Sequence, residues 1–225
     1  MMPVILDIET IPAEQLYPTT PDWLRESKYY PMPKLVDLEQ YKREDTKEKY
    51  RLLNEEMVAN FEPERIKEFS VNHFFCEPIC VMSGLVSRGN DDLNIREWDI
   101  CDYDYLLDMI RMNLPLTTFC GKPYDLPVLS LWCAKTGMPV EARRFSALRT
   151  PPYDFSTHAD LYYLYPKCPD LDTFAKLMGI KVEKHGSGAD IYKWHIAGKK
   201  AEIEKHCEQD IRITYELAKK TGIII

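Results

Sequence analysis

Two acidic side chains interrupt an apolar stretch at the start of the chain, in the sequence VILDIETIPA (4–13). Because residues two apart in a β-strand point to the same face, Asp7 and Glu9 would lie side by side near the end of a buried strand. Burial and mutual repulsion both disfavour two neighbouring carboxylates. A hard divalent cation, Mg²⁺ or Mn²⁺, would relieve both effects. The plain alternative, a strand end with solvated acids, is favoured for this pair taken alone.

A third acid follows a glycine turn in the sequence TFCGKPYDLPVL (118–129). A short strand ends there, and Asp125 stands directly ahead of a helix. Asp125 is therefore a second piece of a candidate carboxylate group. An ordinary helix N-cap is the alternative, because aspartate is well suited to that position.

Two further polar residues occupy the last helix, in HCEQDIRITYEL (206–217). His206 and Asp210 are four residues apart and share a helix face. Ile203, Cys207 and Ile211 flank that face, so we expect both polar side chains to point inward. A surface ion pair or a satisfied buried polar pair is the alternative.

The elements that would position these residues alternate between strands and helices. The patterns predict strands over 3–8, 79–87, 93–98 and 114–120, with 79–87 and 93–98 forming a hairpin. They predict helices over 102–113, 126–137, 169–179 and 201–222, and two exposed helices separated near Pro63 within 36–70. Residues 158–165 fit either a strand or a helix, and 181–200 reads as a loop with a short amphipathic piece. This order predicts an α/β fold, a mixed sheet with helices packed on it.

Taken in order, the three acidic stretches resemble the motifs of the DEDD exonuclease superfamily. Its first motif, D-x-E, matches Asp7-Ile8-Glu9; its second, N-G-x-x-[FY]-D, matches CGKPYD ending at Asp125; its third places an aspartate on the final helix, as Asp210. More narrowly, the chain resembles the stand-alone exonucleases related to the proofreading domain of family-B DNA polymerases. A helical insertion after motif one and the sequence YCEQD are usual in that group. The resemblance covers nearly the whole chain.

The resemblance implies a ribonuclease H-like fold with a helical insertion after the first strand. We expect one domain over 1–225 that contains the insertion at 13–72. The implied activity is 3′–5′ exonucleolytic hydrolysis of single-stranded nucleic acid, DNA rather than RNA, with two divalent cations, Mg²⁺ or Mn²⁺, about 4 Å apart. Asp7 would bridge both cations, Glu9 and Asp210 would hold the cation on the nucleophile side, and Asp125 the other, directly or through water.

Two positions depart from the family pattern. One branch of the superfamily has a tyrosine four residues before the last aspartate, and the other has a histidine five before it. This chain has His206 at the tyrosine spacing, with Lys205 in the fifth place. Since a neutral imidazole accepts a proton near pH 7, we expect His206 to act next to the attacking water. The asparagine of motif two is replaced by Cys120.

Substrate contacts are less specific in the sequence. Thr10, Tyr124, Lys184 and Lys193 are candidates, the last two within a basic stretch that also holds Lys181, Lys199 and Lys200. Basic loops contact phosphates, but a solvated surface is an equally good interpretation. Tyr124, Trp194 and Phe119 could stack on bases, although core packing is the better interpretation of each. Asp160, in HADL, resembles an acid found in related enzymes between motifs two and three.

Bulk properties restrict the setting. The formal net charge of −7 gives no long-range attraction for a polyanion, although bound cations can reverse the field at an acidic site. Seven cysteines with no C-x-x-C pair indicate reduced thiols and a cytoplasmic location. The start MMPVILDIET lacks the basic region and long apolar run typical of a signal peptide, and no apolar run of about 18 residues occurs, so we expect no membrane association.

Two alternatives to a deoxyribonuclease stay open. An exoribonuclease would use the same site, since no residue is seen to read a 2′-hydroxyl. A non-catalytic nucleic-acid-binding or scaffold module could keep the fold, although retention of all four acids argues against it. The helical insertion could contact a protein partner or cover the active-site cleft.

Overall fold

The computed structural model describes residues 3–13, 35–70, 72–86, 92–165, 167–183 and 185–224, with the backbone alone over 60–70. The strands are β1 (Val4–Pro12), β2 (Cys76–Val86), β3 (Leu93–Glu97), β4 (Leu116–Thr118) and β5 (His158–Asp160). The α-helices are α1 (Glu44–Ser70), α2 (Tyr103–Met112), α3 (Leu126–Lys135), α4 (Pro139–Ala147), α5 (Leu171–Leu177), α6 (Ile191–Ile196) and α7 (Lys200–Lys220).

The strands form one five-stranded mixed sheet in the order β3-β2-β1-β4-β5. β2 and β3 form the predicted antiparallel pair, whereas β1, β4 and β5 run parallel, with Ile5 opposite Thr117 and Thr118 opposite Asp160. The predicted α/β fold, a mixed sheet flanked by helices, is confirmed. The architecture is consistent with the ribonuclease H-like fold.

Burial along β1 explains why its acids are unusual. Val4, Ile5 and Leu6 are all at most 1% exposed, so successive residues are buried and the strand is covered on both faces. A carboxylate further along this strand therefore loses contact with water when the protein folds. Asp7 is half-buried and Glu9 is buried.

The last helix, α7, buries a stripe of small and apolar residues spaced three or four apart: Ile203, Cys207, Ile211, Thr214 and Leu217. Gly84 on β2 allows a close approach to this stripe. A Cβ atom at Gly84 would lie 2.9 Å from Cγ2 of Ile211 and 2.8 Å from Leu93. Helix α7 therefore packs closely against the sheet. The packing of this stripe also determines where the side chains of His206 and Asp210 lie.

The chain divides into two compact units, Met1–Thr10 with Glu77–Ile225, and Ile11–Cys76. In the second unit, Asn54 of α1 exchanges two hydrogen bonds with the backbone of Val36, and Tyr41 stacks on Tyr50. Residues 14–34 and 71 of the predicted insertion lie outside the described residues. The domain assignment itself, one domain with an insertion at 13–72, stays a prediction.

The helices of the structure differ from the sequence-based expectation in two places. The prediction of two helices separated near Pro63 is wrong, because α1 is continuous from Glu44 to Ser70. A proline removes one backbone donor, yet the helical hydrogen bonds on either side of it can continue. Helix α4 was not predicted; Pro139 at its first position was the available signal, and the helix buries Ala142 and Phe145.

The ambiguous stretch 158–165 contains both kinds of structure. β5 ends at Asp160, and a 3₁₀ turn over Leu161–Tyr163 follows at once. The Asp160 side chain accepts a hydrogen bond from the backbone N–H of Tyr162 and so begins that turn. The short amphipathic piece predicted within 181–200 is α6.

Candidate metal centre

β1 continues to Pro12, beyond the predicted end at residue 8, so Asp7 and Glu9 form the first part of an acidic cluster in the middle of β1, just past the residues that pair with β4. Burial, followed by the negative charge of Asp210, raises the pKa of Asp7 well above its usual range. Burial, followed by the charges of Asp7 and Asp210, does the same to the pKa of Glu9. The strand therefore brings two carboxylates into a setting where their charged forms are disfavoured unless a cation accompanies them.

Asp125 arrives on an unusual turn that follows β4. Cys120 has a left-handed backbone (φ 66°), and Gly121–Asp125 form a single π-helical turn before α3. Gly121 is required there, since a Cβ atom would lie 2.4 Å from Oγ1 of Thr118. Turns of this kind are frequent at functional sites.

The carboxylate of Asp160 holds this turn in place. Its Oδ1 accepts from the backbone N–H of Cys120 (2.8 Å) and of Tyr162 (3.1 Å), and its Oδ2 accepts from the backbone N–H of Lys122 (2.8 Å). Asp160 is fully buried. The acid noted between the second and third motifs is thus a positioning group for the turn that delivers Asp125.

Asp125 does not serve as a helix cap. It occupies the position before α3, but its backbone is helical (φ −58°, ψ −49°) and its side chain makes no capping hydrogen bond within the described residues. It is 4% exposed, and its Oδ2 has no hydrogen-bond partner in the described part of the chain. Burial, then the charges of Asp7 and Asp160, raises its pKa well above the usual range. A buried carboxylate oxygen without a hydrogen-bond partner in the described residues is expected of a group that binds a metal ion.

His206 on α7 faces the same acids. Its Nε2 lies 3.7 Å from Oε1 of Glu9 and 3.9 Å from Oδ2 of Asp210, and the ring is buried. Its Nδ1 donates a hydrogen bond to the carbonyl oxygen of His185 (2.9 Å). Because that bond places a proton on Nδ1, Nε2 of the neutral ring carries the lone pair and is directed toward the carboxylates.

Cys207 is a member of the cluster that sequence reasoning missed. Its Sγ donates to Oδ2 of Asp7 (3.3 Å), and both Cys207 and the adjacent Cys80 of β2 are buried. Burial, followed by a hydrogen bond with Cys80, raises the pKa of Cys207 well above its usual range. The position next to His206 in the motif was the available signal, but an apolar role for the thiol was the simpler interpretation.

The donor set fits a divalent cation. One ligand atom each from Asp7, Glu9 and Cys207 lie within 4.8 Å of one another, and the same holds for Glu9, His206 and Asp210. Asp125 belongs to neither group, although its charge contributes to the raised pKa of Glu9. Buried, mutually repelling carboxylates and the orphaned Asp125 oxygen are both relieved by positive charge, and their hard oxygen atoms suit Mg²⁺ or Mn²⁺.

Among the candidate substrate residues, Thr10 and Tyr124 lie together. Oγ1 of Thr10 and the hydroxyl of Tyr124 are 2.6 Å apart, which links β1 to the turn that carries Asp125. Both side chains are half-buried beside the acids. Their hydrogen bond therefore joins the two segments that carry Glu9 and Asp125.

The basic stretch gives a different result. Lys184 lies outside the described residues, and the exposed Lys193 is 3.5 Å from Asp190. Lys181 pairs with Glu183, and Lys200 contacts Glu97 and Glu204 at 3.0 Å each. Several of these lysines are thus engaged with acids of the chain.

Trp194 packs against rings of the protein. Its ring lies 5.4 Å from that of His185 in a stacked arrangement and 6.1 Å from that of His206, edge to face. Packing is therefore the better description of Trp194, as the sequence indicated. This packing also supports the segment whose carbonyl orients His206.

Comparison with known proteins gives a likeness of fold. No protein-family model and no curated protein sequence matches the chain. In the described part of the chain, no helix is long and apolar enough to cross a membrane. The family B DNA polymerase from the hyperthermophilic archaeon Pyrobaculum calidifontis has a similar structure, with a TM-score of 0.53 and 16% sequence identity. The match covers 99% of this chain and 24% of that chain, so the chain spans about a quarter of the polymerase and shares the fold of that part.

Proposed function

We propose that the protein is a metal-dependent 3′–5′ exonuclease that hydrolyses single-stranded nucleic acid, DNA in preference to RNA. The main support is the convergence of Asp7, Glu9, Asp125 and Asp210 from β1, the turn after β4, and α7. In the sequence, each pair or residue taken alone also allows an ordinary structural explanation. Their burial together, with raised pKa values at Asp7, Glu9 and Asp125, is expected of a site that functions with bound cations.

Asp7, Glu9, Asp125 and Asp210 would hold the cations, Mg²⁺ or Mn²⁺. Cations bound there would supply Lewis-acid activation of water, charge neutralisation of the phosphodiester and stabilisation of the leaving 3′ oxygen. The buried carboxylates orient this positive charge at the end of the sheet. The turn fixed by Asp160 keeps Asp125 in its place while the substrate enters.

His206 would accept the proton of the attacking water at Nε2. The hydrogen bond from Nδ1 to His185 fixes the ring and leaves the Nε2 lone pair toward Glu9 and Asp210. The imidazolium formed by proton transfer would be stabilised by these two carboxylates. In this respect the protein would behave like the histidine branch of the DEDD enzymes, despite the tyrosine spacing of His206.

Thr10, Tyr124, Lys184 and Lys193 are proposed as substrate contacts. The likeness to part of a family B DNA polymerase supports a nucleic-acid substrate and favours DNA. A cytoplasmic location, and contact with a protein partner through the helical insertion, belong to the same proposal.

The test is a gel assay with 5′-labelled single-stranded DNA and RNA in Mg²⁺, Mn²⁺ or EDTA. We expect a metal-dependent ladder that shortens from the 3′ end of DNA faster than of RNA and that is absent with Asp7→Ala. A faster ladder on RNA would replace the deoxyribonuclease by an exoribonuclease. Folded, metal-loaded protein that cleaves neither strand would overturn the enzyme and favour a nucleic-acid-binding module.

A further inference from the structure

Four aromatic side chains form a continuous row beside the acidic cluster: Phe119, Tyr162, Tyr163 and Tyr153, hereafter the aromatic row. The ring centroids of consecutive members lie 6.0, 5.3 and 6.2 Å apart, each pair edge to face. Tyr153 is 73% exposed and Tyr162 is 37% exposed. Phe119 and Tyr163 are half-buried, so the row is a partly exposed aromatic surface, a feature typical of binding sites.

The sheet places the row at the edge where the acids lie. Phe119 directly follows β4, and the tyrosines at 162 and 163 follow β5 after one intervening residue. β1, β4 and β5 run parallel, and Ile5 of β1 lies opposite Thr117 of β4. Two residues further along the chain in each case, Asp7 and Phe119 therefore lie at the same height in the sheet. Ligands of open α/β sheets bind outside the carboxyl ends of the strands. The row and the acids therefore share that edge.

A direct connection joins the row to the metal-ligand turn. Asp160 accepts hydrogen bonds from the backbone of Tyr162 and, at the same time, from the backbone of Cys120 and Lys122. Burial, followed by the charges of Asp160 and Cys120, raises the pKa of Tyr163. The inner end of the row thus lies against the turn that delivers Asp125.

The outer end of the row is held rigidly. Nζ of the buried Lys122 donates to the carbonyl oxygens of Pro151 (2.9 Å) and Asp154 (2.6 Å), on either side of Tyr153. The exposed Arg149 donates from Nε to the carbonyl oxygen of Lys122 (3.1 Å) and adds a positive charge to the same loop. A side chain presented on a pre-ordered loop loses little entropy when it binds a ligand.

The inner ring, Phe119, is supported from behind. It packs against the satellite core formed by residues of the turn after β5 and of helices α5 and α7: Leu161, Phe174, Ala175, Ile213, Leu217 and Ala218. Its ring also lies edge to face with the exposed ring of Tyr162. Tyr162 is therefore in contact with a ring that the core supports.

We propose that the aromatic row is a stacking surface for the bases of the single strand whose 3′ end occupies the acidic cluster. Stacking on aromatic rings is tolerant of sequence, as an exonuclease that shortens any strand requires. The nearby Arg149 complements the phosphate backbone of that occupant. This inference rests on the proposed function, because that function places the 3′ end of the nucleic-acid strand at the acidic cluster.

The test measures binding without cleavage. A 5′-fluorescein thymidine 12-mer with phosphorothioate linkages is titrated with protein in Mg²⁺ and followed by anisotropy, beside a labelled dinucleotide. We expect Tyr153→Ala and Tyr162→Ala each to weaken binding of the 12-mer at least about fivefold, and binding of the dinucleotide less than twofold. Tyr153→Phe and Tyr162→Phe should retain affinity, since they keep the ring.

Tyr105→Ala is the matched control. Tyr105 is 58% exposed and also contacts another ring, that of Trp98, but it lies on α2. Its removal should leave binding of the 12-mer unchanged. Circular dichroism and thermal melts establish that every variant is folded.

The failure of this inference can be told from failure of the proposed function. If the wild type binds the 12-mer through the row but cleaves no unmodified strand, the exonuclease proposal fails and the row stands. Folded alanine variants that bind the 12-mer as tightly as the wild type would overturn the proposed role of the aromatic row in binding. Self-association of the wild type that is lost in Tyr153→Ala, with 12-mer binding unchanged, would assign the surface to a second copy of the chain instead.

Discussion

The carbonyl oxygen of His185 accepts a hydrogen bond from Nδ1 of His206, with 2.9 Å between the two atoms. The segment around His185 is itself attached to α7, because its backbone N–H donates to Oε1 of Gln209 (2.7 Å) and its ring pairs with Glu202. His206 is therefore oriented by backbone rather than by another acid. This leaves Nε2 to face Glu9 and Asp210.

Replacement of His206 by tyrosine should lower kcat on single-stranded DNA by about 100-fold, because a general base contributes about that much or more. A phenol does not accept a proton readily at neutral pH, so the pH–rate profile should also change. The measurement is kcat between pH 5 and 9 in Mn²⁺, with His195→Gln as the control histidine on α6. Full activity of His206→Tyr with an unchanged profile would show that His206 is not the base.

The raised pKa values of Asp7, Glu9 and Asp125 predict how metal-free protein responds to pH. Above the pKa of these groups in the unfolded chain, the folded state binds more protons than the unfolded state, so stability falls as pH rises. In EDTA, the Tm should therefore be higher at pH 5 than at pH 8. Asp125→Asn, which removes one of the charges, should raise the Tm at pH 8 by about 3 °C or more.

The exposed Asp99 provides the control for that experiment, since Asp99→Asn should leave the Tm in EDTA nearly unchanged. Addition of Mn²⁺ should stabilise the wild type more than Asp125→Asn, because a ligand stabilises the state that binds it. A Tm of the wild type in EDTA that rises from pH 5 to pH 8 would contradict the predicted electrostatics of the cluster.

Asp160→Ala should lower the free energy of unfolding by about 3 kcal/mol, since it leaves one buried backbone donor, that of Lys122, and two part-buried ones, those of Cys120 and Tyr162, without their charged acceptor. Asp160→Asn keeps one acceptor oxygen and should have a smaller effect, about 1 kcal/mol. Urea unfolding measures both values. For a positioning role, Asp160→Asn must also need more Mn²⁺ for half of the thermal shift; an unchanged Mn²⁺ midpoint would reduce Asp160 to a purely structural residue.

Cys207→Ala should weaken Mn²⁺ binding by about tenfold, because the thiol orients Asp7 through the 3.3 Å contact and groups that orient metal ligands have effects of this size. Cys207→Ser retains a donor and should recover most of the affinity. Isothermal titration with Mn²⁺ measures both variants. Cys133→Ala, at another fully buried cysteine, tests whether loss of packing alone gives the same result, in which case no orienting role would be left to Cys207.

Much of the site was accessible from sequence because it depends on periodicity. The two-residue period of a strand placed Asp7 and Glu9 together, and the four-residue spacing of a helix placed His206 beside Asp210. These relations are local, so no knowledge of the tertiary structure was needed. The mixed α/β sheet followed in the same way from the order of the strand and helix patterns.

The contributions of Asp125, Asp160 and Cys207 depend on contacts between distant segments. The sequence before α3 is compatible with a simple cap at Asp125, and only the left-handed Cys120 and the π-helical turn give it another role. Two of the partners of Asp160, Cys120 and Lys122, lie 40 and 38 residues away, and Cys207 lies 200 residues from Asp7. Helix α1 illustrates the reverse case, where a local rule about proline overstated its effect.

Asp160 has a consequence for how the protein could change its specificity. The carboxylate of Asp160 holds both the turn that carries Asp125 and the backbone of Tyr162, because it accepts hydrogen bonds from both. An insertion or substitution that moves the aromatic row to suit another strand would shift the acid as well, and the same holds in reverse. Under the proposed function, contact with the strand and the position of cleavage are therefore coupled through this one carboxylate. A redesign for a modified base or sugar is best directed to the side chain of Tyr153, because this exposed ring can be replaced while Lys122 of the turn still holds the backbone of its loop through Pro151 and Asp154.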